Sequence, residues 1–282
     1  MLKGSSSFCV VPWLHQHVNE EGAFTVCCVA EGKDNFLDGP SGRNLHIQDH
    51  PDEQALGNHP RLKELRRKML NGEWDPICAI CQRSEQASGE SLRTGRNRRF
   101  RHHAARLYEQ TEADGTWPNP QPVHLDMRLG NYCNLSCRMC GPLASKLWLD
   151  TYNRVQPAAY RIGEGEIAKL RQLDWVKDPT IWTAFRECME HLESLHFAGG
   201  EPMMIPEMTQ ALEMCVESGH ASHIELSYNT NLTLLPPRIP ELWKSFKSVS
   251  VWCSVDGYGP LNEYIRRPSR CQSALVFKDL LM

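Results

Sequence analysis

The chain has 282 residues, 41% of them hydrophobic and 23% charged, with a formal net charge of −3, the balance of a soluble globular protein of one large or two modest domains. That charge excludes the bulk electrostatic signature of a nucleic-acid binder. The longest apolar stretches, such as 249–255, fall far short of the roughly 20 residues a membrane span needs.

The N-terminus carries no apolar core of a signal peptide, so a cytoplasmic location is expected. Twelve cysteines in a reducing compartment read as metal or cluster ligands rather than as a disulfide scaffold.

Residues 1–92 read as a small, irregular, Cys-rich α+β module. Its clearest helix spans 60–70, where Leu62, Leu65, Met69 and Leu70 recur at helical spacing. Residues 93–122 read as a solvated bridging helix and linker. Arg93, Arg96, Arg98, Arg99, Arg101 and Arg106 make the segment locally basic, and Pro118, Pro120 and Pro122 suit a linker.

From 123 to 282 strand and helix patterns alternate. Strands are expected at 124–129, 195–198, 223–228 and 249–255. Helical stretches are expected at 143–155, 164–173, 180–192, 207–218, 241–246 and from Gln272. This alternation is the α/β class, with βαβ units, a parallel sheet and an active site beyond the carboxyl ends of the strands. Cys188, Cys215 and Cys253 fall on such elements and read as small core residues.

Cys133, Cys137 and Cys140 lie in the string CNLSCRMC directly after the first of these strands. Three thiolates in eight residues wrap one face of a [4Fe–4S] cluster and leave its fourth iron without a protein ligand. The alternatives are a zinc site completed by a distant residue or three ordinary thiols. Further along, FAGGEP (197–202), SYNTN (227–231) and CSVDG (253–257) each end a strand. Their glycines and Asx residues suit either close ligand approach or plain turns.

The string CNLSCRMCGPLAS resembles the signature of the radical S-adenosylmethionine (SAM) superfamily, and within it the twitch-domain branch. The resemblance implies a partial (βα) TIM-type barrel and a [4Fe–4S] cluster on Cys133, Cys137 and Cys140. It also implies SAM on the open iron, cleaved to a 5′-deoxyadenosyl radical that abstracts hydrogen from a substrate. Met139 stands where many members place an aromatic residue near the adenine.

By the same resemblance Gly199, Gly200 and Glu201 hold the methionyl part of SAM. Asn229, Asn231, Ser254 and Asp256 meet its sugar and carboxylate groups. Arg266, in a YIR-x-P element, pairs with a carboxylate. The family barrel has six βα units and four strands are legible before Met282, so a truncated core, or one completed by another chain, is expected.

Cys9, the adjacent pair Cys27 and Cys28, and Cys78 with Cys81 form a second group. Their pattern resembles the auxiliary-cluster (SPASM/twitch) module, here placed before the barrel instead of after it. The resemblance implies an auxiliary [4Fe–4S] cluster on Cys9, one of Cys27 or Cys28, Cys78 and Cys81. Structural zinc suits the same thiolates, and His15 or His17 is close enough in sequence to replace one of them. Implied partners are SAM, a substrate for which relatives suggest a peptide, and a reductant such as flavodoxin or ferredoxin. Two other readings stand beside the enzyme: a non-catalytic iron–sulfur relative and a structural zinc protein.

Overall fold

The computed structural model describes residues 6–270. They divide into two compact units: the chain up to Val18 with Ala23–Asp126, and Asn19–Gly22 with Met127 onward.

The first unit contains helices α1 (Val11–Leu14), α2 (Glu53–Gly57), α3 (Pro60–Leu70), α4 (Ala79–Ser88), α5 (Leu92–Arg99) and α6 (Ala104–Gln110). Strands β1 (His15–Val18) and β2 (Phe24–Thr25) pair antiparallel, with His17 opposite Thr25. β3 (His124–Arg128) carries the chain into the second unit, and the strand order in the first is β2-β1-β3.

α3 starts where expected because Pro60 takes the first helical position and the His59 side chain caps the Arg61 N–H. It buries Leu62, Leu65 and Met69, and also Arg66. The Arg66 guanidinium reaches Pro12 O at 2.6 Å and Asn58 Oδ1 at 3.0 Å. Burial pushes its pKa down to about 9.

The segment read as a solvated bridging helix is instead two helices. A Ser91–Thr94 capping box starts α5, and Phe100, Ala104 and Leu107 join a core with Phe8, Val10, Trp13 and Trp117. Phe100 caps the end of α5, while Ala104 and Leu107 are the buried residues of α6; the surrounding arginines hide this apolar set in the sequence.

The second unit contains α7 (Tyr152–Val155), α8 (Glu164–Arg171), α9 (Pro179–Cys188), α10 (Pro206–Glu217), α11 (Arg238–Trp243) and α12 (Pro260–Ile265). Its strands, in the order β3-β4-β5-β6, include β4 (Ser194–Ala198), β5 (Glu225–Thr230) and β6 (Ser248–Cys253). β4 pairs parallel with β5, and β5 with β6. Helices connect them, so the unit is α/β with parallel strands, as expected.

Phe197 and Tyr228 stack at 6.0 Å, and Trp243 Nε1 donates to the Tyr228 hydroxyl at 3.2 Å. These contacts tie β4, β5 and α11 together. Cys188 and Cys215 are buried, as small core residues should be. Cys253 is exposed instead, because β6 has a neighbour on one side alone among the described residues. The stretch 143–155 breaks into a single 3₁₀ turn at Lys146–Trp148 and α7. The helix expected from Gln272 lies outside the described residues. Among the described residues no helix is long and apolar enough to cross a membrane.

Candidate functional site

The three-cysteine loop leaves the carboxyl end of β3 and is pinned from several sides. Leu129 N donates to Ala198 O at 2.9 Å, holding the strand end against β4. Asn131 is fully buried, and its amide donates to Pro142 O at 2.8 Å and Leu170 O at 2.9 Å. Ser145 Oγ donates to Leu135 O at 2.6 Å, and Trp148 Nε1 to Cys137 O at 3.0 Å. From the far end of the unit, Ile265 O and Arg267 O accept from the backbone of Arg138 at 2.8 Å and Ser136 at 2.5 Å. The Arg138 guanidinium lies 3.7 Å from the Tyr264 ring centroid, a cation–π contact. Tyr264–Pro268 therefore clamps the loop as well as carrying Arg266.

N–H donors surround the thiols. Leu135 N lies 3.4 Å from Cys133 Sγ, and Asn231 Nδ2 lies 3.8 Å from the same atom. Arg266 Nη1 lies 3.8 Å from Cys137 Sγ, while its Nε pairs with Asp256 Oδ2 at 2.6 Å. Hydrogen bonds to cluster sulfurs are among the groups that set a cluster's potential. Burial holds the Cys133 thiol above its ordinary pKa. The hydrogen bond between the two thiols pushes Cys137 up and lowers Cys140 to about 7.

Gly199 and Gly200 follow β4 with φ of 79° and 56°. A Cβ on Gly200 would lie 2.3 Å from Tyr132 O, and one on Gly199 2.8 Å from Arg128 C. Both glycines are therefore seats for the backbone leading into Cys133. Glu201 N closes the seat by donating to Tyr132 O at 2.9 Å.

The Glu201 carboxylate is buried and accepts from Thr230 Oγ1 at 2.6 Å, Asn231 N at 2.7 Å and Met203 N at 3.2 Å. Burial raises its pKa, and those three donors oppose the rise. Glu201 thus braces the end of β4 against the end of β5, and Asn231 passes that bracing on to Cys133.

Of the other expected SAM contacts, Asn229 and Met139 are exposed. Ser254 N donates to Thr230 O at 2.9 Å. The structure brings Glu201, Asn231, Asp256 and Arg266 to the cysteine loop. Thr230, Trp148 and Arg138 complete that arrangement and were not singled out by sequence, since their partners Glu201, Cys137 and Tyr264–Ile265 are distant in the chain.

The pattern of the Radical SAM superfamily matches residues 127–275, more than half of the chain. The chain belongs to the radical SAM superfamily. A crystal structure of Streptococcus suis SuiB, one of SuiB bound to S-adenosylmethionine and one of SuiB bound to precursor peptide SuiA are 15%, 17% and 18% identical to it. Their TM-scores are 0.38, 0.37 and 0.36, over 79%, 77% and 79% of this chain. They are matched over 46%, 45% and 47% of their own length, so this radical SAM chain spans less than half of each. No curated protein matches it.

In the first unit of this radical SAM protein, Cys9, Cys27, Cys78 and Cys81 line one apolar pocket with Val26, Ile77 and Arg93. Asp75 caps the turn that presents Cys78, accepting from Ile77 N at 3.1 Å. Burial pushes Cys9 up to about 12 and Cys78 up to about 11. Arg93 lies near enough to Cys9 to oppose that rise. Cys28 does not line this pocket; it groups with His15 and Asp126.

Proposed function

We propose that this radical SAM protein holds a [4Fe–4S] cluster on Cys133, Cys137 and Cys140 and reductively cleaves SAM. The observation that supports this best is the seating of the three-thiol loop. Paired glycines receive its backbone, and Leu135 N, Asn231 Nδ2 and Arg266 Nη1 aim N–H groups at its sulfurs. The donor set suits such a cluster, because three thiolates leave one iron for SAM. When bound, the cluster supplies one electron to the sulfonium of SAM, whose bond to the 5′ carbon breaks to give methionine and a 5′-deoxyadenosyl radical.

The protein's own residues do the positioning. Tyr132, seated on Gly200, fixes where Cys133 stands. Glu201 holds the end of β5, so that Asn231 faces Cys133. Arg266, oriented by Asp256, offers its charge to the Cys137 sulfur and to a carboxylate brought beside it. Gly199, Gly200, Asn229, Ser254 and Met139 stand as the proposed SAM contacts, within a partial (βα) barrel at 123–282.

The four thiols of the apolar pocket suit an auxiliary [4Fe–4S] cluster on Cys9, Cys27, Cys78 and Cys81. The raised pKa values of Cys9 and Cys78 mean that binding iron there displaces protons, and the nearby charge of Arg93 favours the resulting thiolates. The substrate class proposed is a peptide, from the resemblance of 1–92 to auxiliary-cluster modules, with flavodoxin or ferredoxin as the reductant.

The test is anaerobic reconstitution followed by SAM and dithionite, with 5′-deoxyadenosine measured by mass spectrometry beside Cys137→Ala. Release by the parent alone is the expected result. Full iron loading without release would sink catalysis by this chain, and zinc in place of iron would sink the cluster assignment.

A further inference from the structure

Cys27 and Cys28 are adjacent in sequence but serve different surroundings. Cys27 faces the apolar pocket with Cys9, Cys78 and Cys81. Cys28 Sγ, a ring nitrogen of His15 and a carboxylate oxygen of Asp126 all lie within 4.8 Å of one another. The three residues come from β1, the segment after β2, and β3. β1 and β3 are neighbours in the strand order of the first unit, so two of the three ligand atoms stand on a rigid frame.

Alternation along a strand puts His15 and His17 on one face of β1, and His124 and Asp126 on one face of β3. The rings confirm that they share a face. His15 stacks on His124 at 4.7 Å between centroids and on His17 at 6.2 Å. His17 is held by Thr25, at 2.5 Å between Nδ1 and Oγ1, and its Nε2 lies 4.0 Å from Asp126 Oδ1. At that distance His17 is a polar neighbour of the carboxylate rather than a hydrogen-bond donor to it. Arg96 lies near both Cys28 and Asp126 and supplies positive charge to them.

We propose that His15, Cys28 and Asp126 form a second metal centre, distinct from the four-thiol pocket, which takes a divalent cation of the zinc type. One imidazole, one thiolate and one carboxylate make a borderline donor set that suits Zn²⁺, and three protein ligands leave a fourth position open to water or substrate. Bonds of about 2.0–2.3 Å in a tetrahedral shell put ligand atoms about 3.4–3.8 Å apart. Side-chain rotations of about 1 Å therefore close the present triangle onto an ion. The rival arrangement is a metal-free polar cluster in which Arg96 balances Asp126. This centre uses none of the four thiols that line the apolar pocket; because the Cys28 thiol hydrogen-bonds with Cys27, iron is counted beside zinc so that failure of either site is seen separately.

The experiment uses the full chain, reconstituted anaerobically with iron and sulfide, exposed to Zn²⁺ and desalted. Zinc and iron are then counted by elemental mass spectrometry. The expected result is one zinc per chain beyond the iron. His15→Gln and Asp126→Asn should each lower zinc retention at least tenfold while iron stays at the parent level. A zinc X-ray absorption edge on the parent should show one sulfur among nitrogen and oxygen neighbours, and this measurement decides the matter if the variants do not fold. Zinc that is absent from the parent, indifferent to both substitutions, or bound by four sulfurs overturns the proposal.

Discussion

Replacing Gly200 by alanine tests whether the paired glycines act as the seat of the cysteine loop. The new Cβ would lie 2.3 Å from Tyr132 O and 2.9 Å from Tyr132 N, where a carbon–oxygen contact of about 3.3 Å is the ordinary minimum. Either Tyr132 retreats by about 1 Å or the residues after β4 do.

Three costs follow. A left-handed φ of 56° disfavours a residue with a Cβ by about 1–2 kcal/mol. Overpacking adds about 1–3 kcal/mol. Loss of the Glu201 N–Tyr132 O bond, at 2.9 Å, leaves a buried N–H at about 1–3 kcal/mol. Relaxation relieves part of each, so a total loss of about 3–5 kcal/mol is expected.

Because Tyr132 precedes Cys133, the same displacement should lower iron loading on the loop. It should also slow 5′-deoxyadenosine release by about 100-fold, the usual effect of a 1 Å misplacement. Urea unfolding, iron per chain and product release measure the three effects. Gly95→Ala is the control, since it lies inside α5 with nothing within 4 Å of its new Cβ. That change should stabilise by about 0.5–1 kcal/mol and leave iron unchanged. If Gly200→Ala stays within about 0.5 kcal/mol of the parent with full iron, the glycines are not the seat of the loop.

Glu201→Gln keeps the shape but turns an amide N–H toward one of the donors from Thr230, Asn231 or Met203. A loss of about 1–3 kcal/mol is expected by chemical denaturation, and an unchanged midpoint would contradict the bracing role. Burial raises the pKa of Asp75, but Arg61 at 2.7 Å and Lys68 at 2.8 Å outweigh it and hold the carboxyl down at about 2. Its folded pKa is thus below the unfolded one of about 3.9. The stability it contributes is complete above that value and disappears as pH falls through about 2. Asp75→Asn should therefore cost about 2 kcal/mol at pH 7 and converge with the parent in acid; a difference independent of pH would refute the ion-pair account. Arg66→Ala should cost about 3–5 kcal/mol in thermal or urea unfolding, because it strips the carbonyls of Pro12 and Gly57 of a buried donor; a loss under about 1 kcal/mol would count against that role. Cys78→Ala should remove the iron of the four-thiol pocket and leave 5′-deoxyadenosine release by the other loop measurable; retention of all iron would contradict that pocket as a ligand set.

Features encoded within a few residues were legible from the chain alone. The spacing of Cys133, Cys137 and Cys140, the Gly199–Gly200 turn at a strand end, and the apolar runs that became β3 to β6 all belong to this kind. So does α3, whose boundaries follow from Pro60 and the Leu62, Leu65 and Met69 stripe. Each depends on backbone geometry that neighbours in sequence impose on one another.

Tertiary structure decided what depends on residues far apart in sequence. Arg66 looks like a solvent-facing charge until the carbonyls of Pro12 and Gly57 surround it. Phe100, Ala104 and Leu107 became core because Phe8, Val10, Trp13 and Trp117 supplied an apolar partner surface. Cys253 stayed exposed because no strand covers that side of β6 among the described residues. The two cysteines at 27 and 28 were equivalent by sequence. Although their thiols hydrogen-bond to each other, the fold places Cys27 with Cys9, Cys78 and Cys81 and Cys28 with His15 and Asp126. A single chain's local pattern carries no record of which distant groups meet, and burial, charge pairing and ligand sets are properties of that meeting.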